Sequence, residues 1–321
     1  MRAAVIEGYG GSDKLEVRDV PDPGPPGGGQ VLLRVRATSV NPLDWKIRSG
    51  KLRLVLPAKF PAVLGVDVAG EVLAIGPEVE RFAPGDLVYG AVDLLRQGGA
   101  YAELALARTD ALAPKPSRLS FEEAAALPLA GQTALQALRD KGELVANERV
   151  LVNGASGGVG HLAVQIGKAF GAKLTAVASA RNQDFLRELG ADRTIDYDED
   201  DFTAEDDAWD IIFDAAGTRN FRDCDPSLAP NGGIYVTTAA TPSAFLWTGI
   251  TTAGAPFGYH KRSRIVFVRH KTEDLEILAH LVNQGRLRPV IEEVFPLGEI
   301  GKAHDLSETG HVRGKVVVRV E

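Results

Sequence analysis

The run Val150-Leu-Val-Asn-Gly-Ala-Ser-Gly-Gly-Val-Gly160 leads straight into His161-Leu-Ala-Val-Gln-Ile-Gly-Lys-Ala-Phe170, and it limits the possible folds more than any other segment. An apolar stretch, a turn crowded with glycine and an apolar stretch of helical length read as buried strand, turn and helix. Gly154, Gly157 and Gly160 carry the spacing of a dinucleotide fingerprint. In such a turn one glycine permits the tight bend, one lets a pyrophosphate approach bare backbone, and one lets the helix pack closely on the strand. The helix N-terminus adds unpaired N–H groups and the positive end of a dipole. The cradle read from this pattern is Gly154, Ser156, Gly157, Gly158, Val159 and Gly160.

The next strand pattern, Leu174-Thr-Ala-Val-Ala178, ends about 20 residues beyond the motif, where a dinucleotide fold reads the adenosine ribose. Ser179-Ala-Arg-Asn182 fills that position. A carboxylate there would accept from a 2′-hydroxyl, whereas a hydroxyl donor and a guanidinium suit a 2′-phosphate. Ser179 and Arg181 therefore favour NADP(H). The alternative is that Arg181 is a solvated residue opening a helix.

At 321 residues the chain exceeds the length at which one core stops growing, so two domains are expected. A hydrophobic fraction of 45% and a charged fraction of 25% are those of a soluble globular protein. The net charge of −7 argues against a nucleic-acid partner. Acidic runs such as Asp198-Glu-Asp-Asp201 and Glu205-Asp-Asp207 read as solvated loop. Cys224 is the only cysteine, which excludes an intramolecular disulfide and a thiolate cluster for structural zinc, and fits a reducing cytoplasm. Met1-Arg-Ala-Ala-Val-Ile6 enters a strand pattern at once, without the core of a signal peptide, and no apolar run has membrane-spanning length.

From residue 1 to about residue 115 the sequence is β-rich, with short segments such as Gln30–Arg36 and Val66–Ile75 parted by Gly and Pro, as in a small, partly closed barrel. Ser120-Phe-Glu-Glu123 is a capping box opening an alanine-rich helix. Glu148–Asn153, Lys173–Ala178, Arg193–Tyr197, Trp209–Ala215, Gly233–Thr238 and Arg264–Val268 are then strand candidates separated by helical patterns. That alternation predicts an α/β fold with a parallel, doubly wound sheet. Thr272–Gln284 reads as an amphipathic helix, and Gly314–Val320 as a strand returning to the first domain.

The segments Ser39-Val-Asn-Pro-Leu-Asp44, Gly65-Val-Asp-Val-Ala-Gly70, Gly85-Asp-Leu-Val-Tyr-Gly90, Gly99-Ala-Tyr-Ala-Glu103, Leu129-Ala-Gly-Gln-Thr133, the glycine turn and His311-Val-Arg-Gly-Lys315 occur in the order found in the medium-chain dehydrogenase/reductases. The chain most resembles their zinc-independent quinone oxidoreductase branch, which includes alkenal and enone reductases. The resemblance implies a GroES-like catalytic domain from residues 1–117 and 269–321, a Rossmann domain from 118–268, and a homodimer through the edge strand near Ile265. Where zinc-dependent relatives carry a catalytic cysteine this chain has Asn41-Pro42, and where they carry Gly-His-Glu it has Gly65-Val66-Asp67. No bound metal is expected.

Without a Lewis acid, reduction of a conjugated acceptor is easier than oxidation of an unactivated alcohol, so a quinone or an α,β-unsaturated carbonyl is the expected small-molecule substrate. Lys46 is the candidate for the positive group beside the acceptor oxygen, in a loop the resemblance places near the nicotinamide. Its alternative is a surface lysine paired with Asp44 or Asp67. Asn41 would position ligand, and Asp44 or Asp67 would act as general acid or simply cap a loop. The resemblance also implies cofactor contacts for Thr133, Tyr197, Gly217, Phe267, Val268 and Lys315. Trp45, Tyr89, Phe245, Trp247 and Phe257 are candidate pocket walls or core residues, and Thr241–Tyr259 reads as a flexible loop. Competing functions are an enoyl-thioester reductase and a non-catalytic NADPH-binding or redox-sensing protein.

Overall fold

A computed structural model describes residues 1–94, 98–206 and 208–320; Asp207, and the side chain of Phe257, lie outside the described residues. The chain forms two compact units, one of residues 1–132, 269–284 and 289–321, the other of residues 133–268 and 285–288.

The second unit is built on a six-stranded sheet in the order Arg193–Asp196, Lys173–Ala178, Arg149–Asn153, Ile211–Asp214, Ile234–Thr237, Arg262–Ile265. Every neighbouring pair is parallel. Arg149–Asn153, first in sequence but third in the sheet, is buried at Val150, Leu151, Val152 and Asn153, as a strand covered on both faces must be. Beside it the strand order reverses, the place where open α/β sheets bind ligands beyond their carboxyl ends. The doubly wound sheet is thus the one read from the alternating pattern.

Two local readings change. The last strand runs from Arg262 to Ile265, so Phe267 and Val268 follow it instead of lying in it. Thr241–Tyr259 is not a loop: it holds the helix Pro242–Gly254 and a turn of 3-10 helix at Ala255–Phe257. The Thr241 hydroxyl accepts from Ala244 N at 3.1 Å, and Pro242 occupies the first turn, where its missing N–H costs nothing. These caps outweigh Gly249 and Gly254, the residues that suggest a loop.

The first unit contains a three-stranded sheet (Glu16–Asp19, Arg2–Ile6, Ala62–Val63) and a seven-stranded sheet whose spine is Gln30–Val40. That long strand pairs antiparallel with Asp67–Ile75, Leu104–Arg108 and Lys315–Arg319. Leu33, Val35, Val68, Val72, Val88 and Val318 from these and neighbouring strands meet in one apolar core. The register Val316↔Val40 brings Lys315 beside the end of the spine strand. No helix among the described residues is long and apolar enough to cross a membrane.

A methyl group at Gly160 would stand 2.1 Å from Gly154 O and 2.7 Å from Ala155 Cα, both backbone atoms. Gly160→Ala is therefore expected to lower the urea unfolding midpoint, costing about 1–3 kcal/mol by overpacking.

Candidate functional site

In the first unit the spine strand ends at Val40, and Asn41 starts the helix Pro42–Arg48. Asp44, in the first turn, accepts the Asn41 backbone N–H on Oδ2 at 2.8 Å, so the strand-to-helix corner is closed by its own sequence. The Asn41 side chain is fixed at both ends. Its Nδ2 donates to Asp67 Oδ2 at 2.8 Å, and its Oδ1 accepts from Lys315 Nζ at 2.5 Å.

Asp67, fully buried, gathers further donors: Ser39 Oγ at 2.5 Å on Oδ2 and the Leu129 backbone N–H at 2.7 Å on Oδ1. Lys315 Nζ lies 3.5 Å from Asp67 Oδ2 and is itself only 3% exposed. Burial lowers the Lys315 pKa, against the pull of Asp67 and Asp44. The cation of this cluster is thus Lys315, not Lys46.

Lys46 stands on the helix Pro42–Arg48, not in a loop. It is exposed, with Nζ 5.4 Å from the centre of the Trp45 ring. Sequence reasoning had the C-terminal lysine near the cofactor but carried no signal that it would take the place beside Asp67.

Asp44 is equally buried but poorly provided with partners, since Oδ1 has no hydrogen-bond partner among the described residues. Burial raises its pKa to about 7, helped by the Asp67 charge and opposed by the Asn41 hydrogen bond and Lys315. Behind it lies a group of residues the sequence reading did not single out. The buried Tyr101 hydroxyl interacts with Asp44 and lies 3.1 Å from His304 Nε2. Burial and then Asp44 push the Tyr101 pKa well above 10, while burial and then Arg48 depress His304 to about 3. Arg48, also buried, pairs with Glu308.

Gly65 has φ +96°, and a Cβ there would stand 2.5 Å from Tyr101 Cδ1, so Gly65 is bare because the Tyr101 ring fills its side-chain space. The segments Gly65-Val-Asp67 and Gly99-Ala-Tyr101 therefore interlock. Nothing comparable marks His304 or Arg48.

In the second unit the glycine turn links Arg149–Asn153 to the helix Gly160–Ala169. Gly154 has φ +74°, a conformation that favours glycine, and a Cβ there would meet Ala216 Cβ at 2.7 Å. Gly160 is bare because Gly154 and Ala155 press on it. Gly157 differs. A Cβ there would meet nothing closer than Gly154 O at 3.5 Å, so the packing of the protein does not require a bare backbone at that point. Ser156, Gly158 and Val159 are half-buried around it.

Ser179 and Tyr197 directly follow neighbouring strands of the same sheet, Lys173–Ala178 and Arg193–Asp196. Ser179 is half-buried and takes Asn182 Nδ2 at 3.3 Å, whereas Arg181 and Tyr197 are exposed. Asp184 lies in the helix Gln183–Glu188. Gly217 has φ +69°, and its N–H donates to Asp214 Oδ1 at 2.9 Å. Asp214 also accepts from Asn153 Nδ2 at 2.8 Å, Arg219 N at 3.0 Å and the Tyr235 hydroxyl at 3.0 Å, which fixes the loop after the fourth strand.

Phe267 is exposed and stacks on Phe245 at 6.1 Å between ring centres, while Val268 is half-buried. Thr133 is buried on the helix Pro128–Gln136. Tyr89, a candidate pocket wall or core residue, is fully buried core with its hydroxyl on Leu275 O at 2.5 Å, and Trp247 packs on Phe221 at 5.4 Å. Trp45 is half-buried between core and solvent.

Residues 27–117 match the alcohol dehydrogenase GroES-like domain, and residues 189–318 match the family described as zinc-binding dehydrogenase. The chain is 37% identical to the chloroplast envelope quinone oxidoreductase homolog of Arabidopsis thaliana, over 99% of this chain and 98% of that protein. It is 34% identical to the 2-methylene-furan-3-one reductase of Solanum lycopersicum, over 99% and 79%. Among solved structures, the quinone oxidoreductase from Coxiella burnetii superposes with a TM-score of 0.87 at 36% identity, covering 100% of this chain and 99% of that one.

Asp44 makes stability depend on pH in a defined direction. The unfolded carboxyl titrates near 3.8 and the folded one at about 7, so its contribution is full below 3.8 and is lost as pH rises through about 7. His304, depressed from 6.5 to about 3, acts in the opposite sense and adds stability as pH rises through that range. Asp44→Asn removes only the first effect. The stability of the wild type relative to Asp44→Asn is therefore expected to fall between about pH 4 and about pH 8 in urea titrations; parallel curves would exclude a neutral buried carboxyl.

Proposed function

Because the chain belongs to the medium-chain dehydrogenase/reductase superfamily, among its quinone oxidoreductases, we propose that it reduces quinones or α,β-unsaturated carbonyls with NADPH and without zinc. The observation that carries the cofactor part is Gly157, bare where the protein's own packing leaves room for a side chain. A dinucleotide pyrophosphate needs that space and the N–H groups around it.

When bound, NADPH supplies the hydride. The backbone from Gly154 through Ser156, Gly157, Gly158 and Val159 to Gly160 holds the pyrophosphate. Ser179 and Arg181 bind the 2′-phosphate, with Tyr197 flanking it. Thr133, Gly217, Phe267 and Val268 bound the nicotinamide half, and Lys315 contributes by fixing Asn41.

Asn41, held by Asp67 and Lys315, presents a fixed amide that orients the acceptor. Lys46 places positive charge near the oxygen that gains electron density. Asp44, with its pKa near neutrality, is the proton source, since a general acid works best when its pKa lies near the operating pH.

Zinc does not fit these residues. The matching positions offer Asn41 and Asp67, and the Asp67 carboxylate is already committed to Ser39, Asn41, Leu129 and Lys315. Cys224 is buried in the other unit, where burial pushes its thiol pKa up, away from the thiolate that zinc requires. The proposal includes a cytoplasmic setting and a homodimer joined near Ile265 in Arg262–Ile265, the edge strand of the six-stranded sheet.

The test is oxidation of NADPH and of NADH by chelator-treated protein, with a simple quinone and a short enone as acceptors. Turnover with NADPH is expected to survive chelation, and Arg181→Ala to raise the KM for NADPH about tenfold or more while leaving NADH unaffected. Gly157→Ala should weaken NADPH binding without moving the unfolding midpoint. Tight NADPH binding without turnover would mark a binding protein instead, and activity restored only by zinc would remove the metal-independent mechanism.

A further inference from the structure

From Trp45 to Val66 the sequence has five basic residues, Lys46, Arg48, Lys51, Arg53 and Lys59, and no acidic one, within a chain of net charge −7. Arg48 turns inward to Glu308. Lys46, Lys51, Arg53 and Lys59 are exposed, and no acidic partner is found for any of them among the described residues. Between these cations stand Leu54 and Val55, 93% and 77% exposed, the two most exposed large apolar side chains among the described residues.

This projection has a defined geometry. Val55 N and Leu56 N donate to Leu52 O at 2.9 and 2.7 Å, forming a tight turn. Leu52, Leu56 and Ala58 face the core of the first unit. The Tyr9 hydroxyl accepts from Ala58 N at 3.0 Å, and the Tyr9 ring packs edge-on against Phe60 at 4.8 Å. With Leu52 and Leu56 anchored inward, the turn directs Leu54 and Val55 into water.

An apolar tip ringed by unpaired cations is the chemistry of an interfacial membrane contact. The apolar side chains enter the headgroup–acyl boundary, and each Lys or Arg near an anionic surface adds attraction. An acidic protein or a nucleic acid would engage the cations but gives no reason for two bare aliphatic side chains at the summit. We propose that Lys51–Phe60 is a docking loop for bilayers bearing anionic headgroups, with Leu54 and Val55 entering the interface and Lys51, Arg53 and Lys59 facing the headgroup phosphates. The excess negative charge elsewhere on the chain is repelled by such a surface and helps orient this face toward it. The inference goes beyond the proposed reaction and does not depend on it.

Cosedimentation of the full chain with phosphatidylcholine vesicles, with and without about one-third phosphatidylglycerol, tests it. Expected are binding to the anionic vesicles at low salt, at least tenfold weaker binding to the neutral ones, and release at about 0.5 M salt. The pairs Leu54→Asp with Val55→Asp and Lys51→Glu with Arg53→Glu should each weaken binding at least tenfold while keeping the wild-type unfolding midpoint. Absence of binding to anionic vesicles, equal binding to neutral ones, or full binding by the Leu54/Val55 variant would overturn the proposal. So would a self-association, seen by sedimentation velocity, that this variant abolishes in a protein that ignores vesicles.

Discussion

The buried carboxylate of Asp67 is the point on which the geometry of the first unit turns. An ionised group taken out of water is tolerated only when partners replace its hydration. Here four donors come from three stretches of chain: Ser39 and Asn41 at the corner between the spine strand and the following helix, the Leu129 backbone, and Lys315 from the C-terminal strand. Each donor satisfies the carboxylate and is itself held by it. The strand register that sets Val316 opposite Val40 delivers the lysine, and the helix corner closed by Asp44 delivers the amide. Removing the carboxylate would leave Lys315 as a buried cation facing little but the Asn41 and Val40 oxygens, a far more costly state than the assembled cluster.

The glycine turn of the second unit solves a different problem by removing atoms instead of adding partners. Gly154 and Gly160 are required by the fold, because Ala216 and the Gly154–Ala155 backbone occupy the space a side chain would need. Gly157 answers to no such demand. A position bare without a packing reason, at the end of a central parallel strand and beside a helix N-terminus, is what the proposed pyrophosphate contact would use. The loop after Ile211–Asp214 is fixed in a complementary way: Asp214 collects Asn153, Gly217, Arg219 and Tyr235, so the backbone beside the turn is rigid without using bulky side chains.

These two kinds of order differ in how far they can be read from sequence. The parallel sheet was legible because its inner strands are apolar on both faces and the strand patterns alternate with helical periods, a signal carried by each segment separately. The glycine turn was legible because its spacing is local. Helix Pro242–Gly254 was misread because glycine and aromatic content suggested a loop, while the decisive caps, Thr241 and Pro242, are two residues at its edge. The identity of the buried cation was not legible at all. Lys46 and Lys315 are equivalent in composition, and only the pairing of strands distant in sequence decides which one is carried inside. Tyr101 was not legible either, since the space its ring fills over Gly65 is set by the fold and not by the local pattern.

The charge balance of the first unit explains why a neutral carboxyl and an ion pair sit side by side. Asp67 and Lys315 together carry no net charge, so Asp44 is the odd member of the set. Ionising it would add an uncompensated negative charge in a site with little water, next to a carboxylate already in place. The raised Asp44 pKa follows first from burial and then from the Asp67 charge, and the Asn41 N–H, which Oδ2 can accept in either protonation state, lets the group titrate without dismantling the helix corner. Tyr101 lies against Asp44 on one side and His304 on the other, and its hydroxyl can donate to one and accept from the other in either direction. The arrangement therefore separates two duties within one buried cluster. The Asp67–Lys315 pair fixes geometry, while Asp44 can gain or lose a proton near neutral pH without disturbing the amide that Asn41 presents.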